Sequence, residues 1–156
     1  MYTNSTLVYR ATSHGWNTGD FHRMADNKGP TLTIIRNKAN GKIAGGYTAI
    51  PWATVNGYVA DPNAYLFSVD RKEKYTVKNV ANALFDHVSY GATYGNGHDI
   101  HVANVPQSNA NSYANLGVGY DLPAGVTAGS TEAKEMLFGV YNFQPDEIEI
   151  FSLTNF

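Results

Sequence analysis

Asp20-Phe21-His22-Arg23-Met24-Ala25-Asp26-Asn27-Lys28-Gly29-Pro30-Thr31-Leu32-Thr33-Ile34-Ile35 holds a short helix, a Gly-Pro corner and the start of a strand. Thr18 is placed to cap the helix, and Asp20 puts a negative charge in its first turn, where the helix dipole favours it. Phe21, Met24 and Ala25 share one face by their three- and four-residue spacing. Gly29 is suited to a left-handed conformation, and Pro30 cannot continue the hydrogen-bond ladder, so the helix ends and the chain turns into a strand.

Outward from this corner the pattern is that of strands. Leu7 to Ala11 reads as a short strand upstream. Thr31–Arg36 and Lys42–Trp52 read as a hairpin, because Asn40-Gly41 between them is the pair a tight turn prefers. Gly45-Gly46 inside the second strand marks a bulge or a close backbone approach, since glycine offers no side chain to pack there. Tyr65 to Val69 is apolar on both faces and reads as a central strand, with Tyr75 to Val77 as its hairpin partner. Asn79 to His87 reads as a turn of helix, although Val77, Val80 and Leu84 mix badly with the residues around them. Tyr90 to Gly97 is a glycine-rich loop, and His98 to Val105 then alternates, placing His98, Ile100 and Val102 on one face and Asp99, His101 and Ala103 on the other. Pro106 to Asn115 reads as a mobile surface loop, Leu116 to Tyr120 as a strand and Thr131 to Phe138 as a short helix with Glu132 and Glu135 exposed. Glu147 to Phe151 alternates charge and aliphatic as a half-buried strand, with Glu147 and Glu149 on a solvated edge.

Composition agrees with a sheet-rich fold. Apolar residues make up 43% and charged residues 15% of 156, with 11 Tyr, 7 Phe and 15 Gly, whereas helical bundles favour Ala, Glu, Lys and Leu. No linker or repeat divides the chain, so residues 1–156 are expected to form a single domain with one core.

The net charge of −2 and the lack of an uninterrupted basic run argue against nucleic acid as a partner. Cysteine is absent, which removes disulfides, thiolate catalysis and thiol-peroxidase chemistry. No apolar run approaches the roughly 20 residues of a membrane span, and the first residues carry no basic or long apolar region, so a cytoplasmic chain is expected.

The groups with chemical potential are few. His22 and Asp26 are four apart on the helix, spacing that lets them meet as a hydrogen-bonded pair or serve as two metal ligands. His98 and His101 flank Asp99, but on a strand residues three apart point to opposite faces and do not share one ion. The Gly91, Gly95, Gly97 loop lacks the Lys-Ser/Thr of a phosphate cradle and precedes a strand, so its glycines read as loop formers. No nucleophile elbow surrounds any serine. On these residues no enzyme, cofactor or metal is expected.

Read in order, Leu7-Val8-Tyr9-Arg10-Ala11-Thr12, Asp20-Phe21-His22, Asp26 to Leu32, Gly41-Lys42-Ile43, Gly45-Gly46-Tyr47-Thr48, Ile50-Pro51-Trp52, Ala64 to Ser68, Gly97-His98-Asp99-Ile100, Ser112 to Gly117, Phe143 and Glu147 to Phe151 resemble the TLDc domain family across nearly the whole chain. Ala92 and Asn96 depart from the usual proline and glycine of the family's loop, and Val118-Gly119-Tyr120 is also unusual.

The resemblance implies an α+β, mainly β fold: two antiparallel sheets packed as a sandwich with a few short flanking helices. It implies a non-catalytic, monomeric protein-interaction domain of eukaryotic cells. The implied partner is the vacuolar proton-pumping ATPase, with a link to oxidative-stress resistance and a site peripheral to endolysosomal membranes. The matching positions are Gly29, Gly45, Gly46, Gly97 and Gly117 as backbone-shaping residues, with His22, Asp26 and Asp99 as polar candidates for partner binding or fold maintenance. Two alternatives stand beside this: a carbohydrate-binding β-sandwich, from the 11 Tyr, 2 Trp and many loop Asn residues, and a small metal-dependent enzyme.

Overall fold

A computed structural model describes residues 1–155. The chain runs through β1 (Asn4–Arg10), α1 (Ala11–His14), α2 (Thr18–Ala25), β2 (Thr31–Asn37), β3 (Ile43–Thr48), β4 (Gly57–Val59), β5 (Tyr65–Ser68) and β6 (Glu73–Thr76). It continues through β7 (Leu84–Asp86), β8 (Ile100–His101), β9 (Tyr113–Ala114), α3 (Thr131–Glu135) and β10 (Pro145–Thr154). The fold is mainly β, as the composition predicts, and sandwich-like, as the family resemblance implies.

The main layer is a six-stranded antiparallel sheet in the order β1-β10-β2-β3-β5-β6. The other layer is assembled from fragments. β4 pairs with β7 and β8 with β9, while single bridges Leu84–Tyr94, Tyr94–Ile100 and Tyr113–Asn142 join the pieces. Loops cut this layer so often that the alternating run His98 to Val105 keeps only Ile100–His101 as strand.

α2 forms where expected, but its cap is Asn17, and Thr18 is the first helical residue. Asp20 accepts the Asn17 N–H at 3.1 Å, and the N–H of Thr18, one of the helix's unpaired donors, goes to the Asn104 side chain at 2.9 Å. Phe21 and Ala25 are buried. The exit is as predicted, with Asn27 and Gly29 both at positive φ before β2 begins.

The β2–β3 hairpin also forms, but through a longer loop than a two-residue turn. Gly41 N–H reaches Asn37 O at 2.8 Å and Asn37 N–H reaches Lys42 O at 2.9 Å, and only Gly41 of the Asn-Gly pair is left-handed. Asn40 instead donates to Phe138 O at 2.8 Å, tying the loop to the segment after α3. β3 stops at Thr48, short of the expected Trp52, which is fully buried. Pairing along β2 and β3 shows no register shift, so Gly45-Gly46 is a close approach rather than a bulge. A Cβ on Gly46 would lie 2.6 Å from the Tyr94 ring.

Other expectations are corrected. β5 buries Leu66 and Ser68 but leaves Tyr65 and Phe67 half-buried, so it is apolar on both faces yet buried on one; its hairpin with β6 is as read. Val80–Asn82 is a single 3-10 turn that leads into β7. Leu116 to Tyr120 is a loop. The 106–115 segment is anchored, with Pro106 and Ser112 buried and Ser112 Oγ accepting Ala103 N–H at 2.9 Å. α3 is shorter than expected but exposes Glu132 and Glu135.

β10 is interior, not an edge, because β1 pairs along its other side. Its acids are engaged across that pairing: Glu149 accepts from Arg10 at 2.7 Å and Glu147 from the Thr12 hydroxyl at 2.6 Å.

Buried side chains of both layers form one cluster, and Tyr94 joins them. Its hydroxyl, fully buried, meets Thr33 Oγ1 at 2.9 Å and Gly46 O at 3.2 Å across the sandwich, while its ring packs edge-to-face on Trp52 at 5.7 Å. Tyr94→Phe keeps the ring and leaves the Thr33 hydroxyl without that partner. A loss of about 1–2 kcal/mol is expected, read as a lower urea midpoint with an unchanged slope.

Candidate functional site

The predicted polar positions fall into two nodes, one at the end of α2 and one around the loops that precede β8 and follow β9. In the first, the last turn of α2 brings His22 Nδ1 to 2.9 Å from Asp26 Oδ1, the i, i+4 contact that the spacing predicts. His22 Nε2 lies 2.8 Å from His87 O and 2.9 Å from Tyr90 O. Carbonyls only accept, so Nε2 carries a proton and clamps the 87–90 loop to the helix.

Thr54 completes this node, its hydroxyl donating to Asp26 Oδ2 and lying 3.0 Å from His22 Nδ1. Thr54 has φ +53, a conformation that a β-branched residue adopts only under constraint. The constraint is the buried Asp86 carboxylate, which accepts the N–H groups of Ala53 at 2.8 Å and Thr54 at 3.2 Å. Asn56, also left-handed, accepts the N–H of Val88 at 3.0 Å. The result is a tip tied down by hydrogen bonds, on which Val55 and Val88 stand 55% and 50% exposed.

The second node is Asp99. It is fully buried, and its carboxylate accepts the N–H groups of Gly117 at 2.9 Å, Val118 at 3.1 Å, Gly119 at 2.8 Å and Tyr120 at 3.2 Å. Four successive amides facing one anion make a nest of the kind that holds phosphates elsewhere; here the chain fills it with its own side chain. Burial pushes the Asp99 carboxyl up to about 6, against the pull of those donors. Glycine is required around it: a Cβ on Gly95 would sit 2.0 Å from Asp99 Oδ1 and one on Gly97 2.7 Å from Val118. Gly117 has φ +112 and would drive a Cβ to 2.4 Å from Leu122.

The remaining matched positions lie apart from both nodes. Gly45 and Gly46 are in the main sheet, and Gly29 is at the corner after α2. Sequence reasoning missed Thr54, Asp61 and Asp86. Asp61, fully buried, accepts from the Thr48 hydroxyl and Ala49 N–H at 2.8 Å each and from Asn63 N–H at 2.9 Å. The one available signal was an acid ending the apolar run Leu84-Phe85-Asp86.

Between the nodes a row of rings crosses the outer face of the second layer. Tyr58 meets Phe85 at 4.8 Å, Phe85 meets His98 at 5.2 Å, His98 meets His101 at 5.6 Å, His101 meets Tyr113 at 5.1 Å and Tyr113 meets Tyr141 at 5.3 Å. Tyr58 with Phe85 and His101 with Tyr113 are cross-strand partners, which is why they share a face. His98 joins them because it precedes β8 at φ +51. The expected separation of His98 and His101 onto opposite faces is therefore wrong. Burial lowers the His98 imidazole and takes His101 down to about 4, the neighbouring His98 adding to the second shift.

Among the described residues no three His, Cys, Asp or Glu side chains converge as ligands for a metal ion, and no helix is long and apolar enough to cross a membrane. Compared with known proteins, residues 2–154 match the family of the TLDc domain. No curated protein matches the chain.

Proposed function

The chain belongs to the TLDc domain family, and from that membership we propose that it works as a non-catalytic protein-interaction domain. In this reading it binds the soluble sector of the vacuolar proton-pumping ATPase from the cytoplasmic side of endolysosomal membranes, acts as a monomer, and supports oxidative-stress resistance by modulating that complex. The observation that carries the reading is where the buried acids go. Asp61, Asp86 and Asp99 direct their oxygens at loop backbone N–H groups. The loop that Asp86 holds presents the exposed Val55 beside Val88. Rigid loops on a sheet scaffold are the usual bearers of recognition.

Titrating the purified chain against the purified soluble sector is expected to give saturable binding at micromolar concentration. No binding in that range overturns the reading. The row of rings favours one other reading, a carbohydrate stacked on Tyr58, Tyr113 and Tyr141, which a glycan array distinguishes.

A further inference from the structure

We propose that His98 and His101 together hold one exchangeable divalent transition ion, Cu²⁺ ahead of Zn²⁺, through their Nε2 atoms. The argument begins with which nitrogen of each ring carries its proton. Gly95 O only accepts, so His98 Nδ1, 3.1 Å away, donates to it, leaving the lone pair on Nε2. Thr93 gives its single hydroxyl proton to Gly91 O at 3.1 Å, so it accepts from His101 Nδ1 at 3.3 Å, again leaving the lone pair on Nε2. A second-nitrogen N–H tethered to a fixed acceptor is the arrangement that orients metal-ligating histidines.

The other three of the five histidines differ. His14 Nδ1 accepts from Arg10 N–H at 2.9 Å and His87 Nδ1 accepts from Ser89 N–H at 3.1 Å, which puts the proton of the neutral ring on Nε2. His22 has both nitrogens engaged. Among the described residues only His98 and His101 leave an Nε2 lone pair free.

The two rings are also placed together. They stack at 5.6 Å with 29° between planes, held by Tyr90 at 5.8 and 4.7 Å and by Tyr113 at 6.4 and 5.1 Å. Two imidazoles on one ion, with bonds of ~2 Å, have centroids roughly 5 Å apart at the tetrahedral angle of Zn²⁺ and roughly 4.4 Å apart at the right angle of tetragonal Cu²⁺, so the rings close by about 1 Å to complete the chelate. His98 is half-buried and His101 is 9% exposed, and neither Nε2 is among the buried side-chain polar atoms of the described residues that lack a partner. With two protein ligands, water fills the other positions and the ion exchanges. Imidazole donors and the order of divalent affinities place Cu²⁺ first.

The test is a titration of the full chain with aqueous Cu²⁺ in a non-coordinating buffer, followed by electron paramagnetic resonance, with Zn²⁺ followed through the imidazole nitrogen shifts. One ion per chain at micromolar affinity is expected, with nitrogen hyperfine structure from two imidazoles. His101→Gln and His98→Asn are each expected to weaken binding at least ~10-fold, while His14→Gln and His87→Gln leave it unchanged. His98→Asn suits the left-handed backbone and carries the test if His101→Gln is poorly folded. Absence of saturable binding, binding that survives the His98 variant, or equal loss in the His87 variant overturns the proposal.

Discussion

Asp99→Ala is expected to remove several kcal/mol of stability, enough to leave much of the chain unfolded at physiological temperature. Three of the N–H groups that the carboxylate accepts, on Gly117, Gly119 and Tyr120, are in buried bonds. Each loses its partner at about 1–3 kcal/mol, out of a total that for a domain of this size is only about 5–15 kcal/mol. Loops on both sides lose their anchor, because Gly95 and Gly119 approach the same oxygen. Asp99→Asn retains one acceptor oxygen but turns an NH₂ donor toward amides that also donate, so its cost falls between wild type and alanine. Guanidinium unfolding of the three proteins checks the order. An alanine variant within ~0.5 kcal/mol of wild type would mean that the nest does not hold the fold. Any loss of partner binding in either variant is to be read against this loss of structure.

Gly45→Ala is the second large effect, and it acts through sterics alone. An added Cβ would lie 1.8 Å from the Thr33 carbonyl oxygen, which is backbone and cannot rotate away. Relief requires β2 and β3 to separate in the middle of the main sheet, next to β10. A loss above ~3 kcal/mol, and a melting temperature lower by about 10 °C, is expected. Gly29→Ala is the control. Gly29 is at φ +76 with no atom within 4 Å of an added Cβ, so only the conformational cost of about 1 kcal/mol applies. Thermal unfolding of the two variants side by side separates crowding from backbone preference, and equal melting temperatures would contradict the close approach.

Local chemistry was legible where neighbours in sequence decide it. The helix of 18–25, its Gly-Pro exit, the β2–β3 and β5–β6 hairpins and the His22–Asp26 contact all follow from spacing of four residues or fewer, or from turn chemistry. Long-range pairing was not. Glu147 and Glu149 resemble an exposed edge until β1, more than a hundred residues upstream, pairs beside them. Leu116 to Tyr120 is apolar enough for a strand, but its N–H groups are taken by Asp99 and not by a neighbouring strand. His98 and His101 alternate correctly on paper, yet one left-handed residue brings their rings together. Thr54 could not be found at all, since its role depends on a strained backbone imposed by Asp86 thirty-two residues away.

A carboxylate at the loop tip decides whether these anchored loops serve recognition. Val55 and Val88 make no part of the buried cluster, so Val55→Asp/Val88→Asp leaves the melting temperature within a few degrees of wild type. If the tip is the docking surface, the double variant binds the ATPase soluble sector at least ~10-fold more weakly than wild type, a loss of about 1.4 kcal/mol. Binding as tight as that of the unaltered chain, in a variant equally well folded, would contradict it.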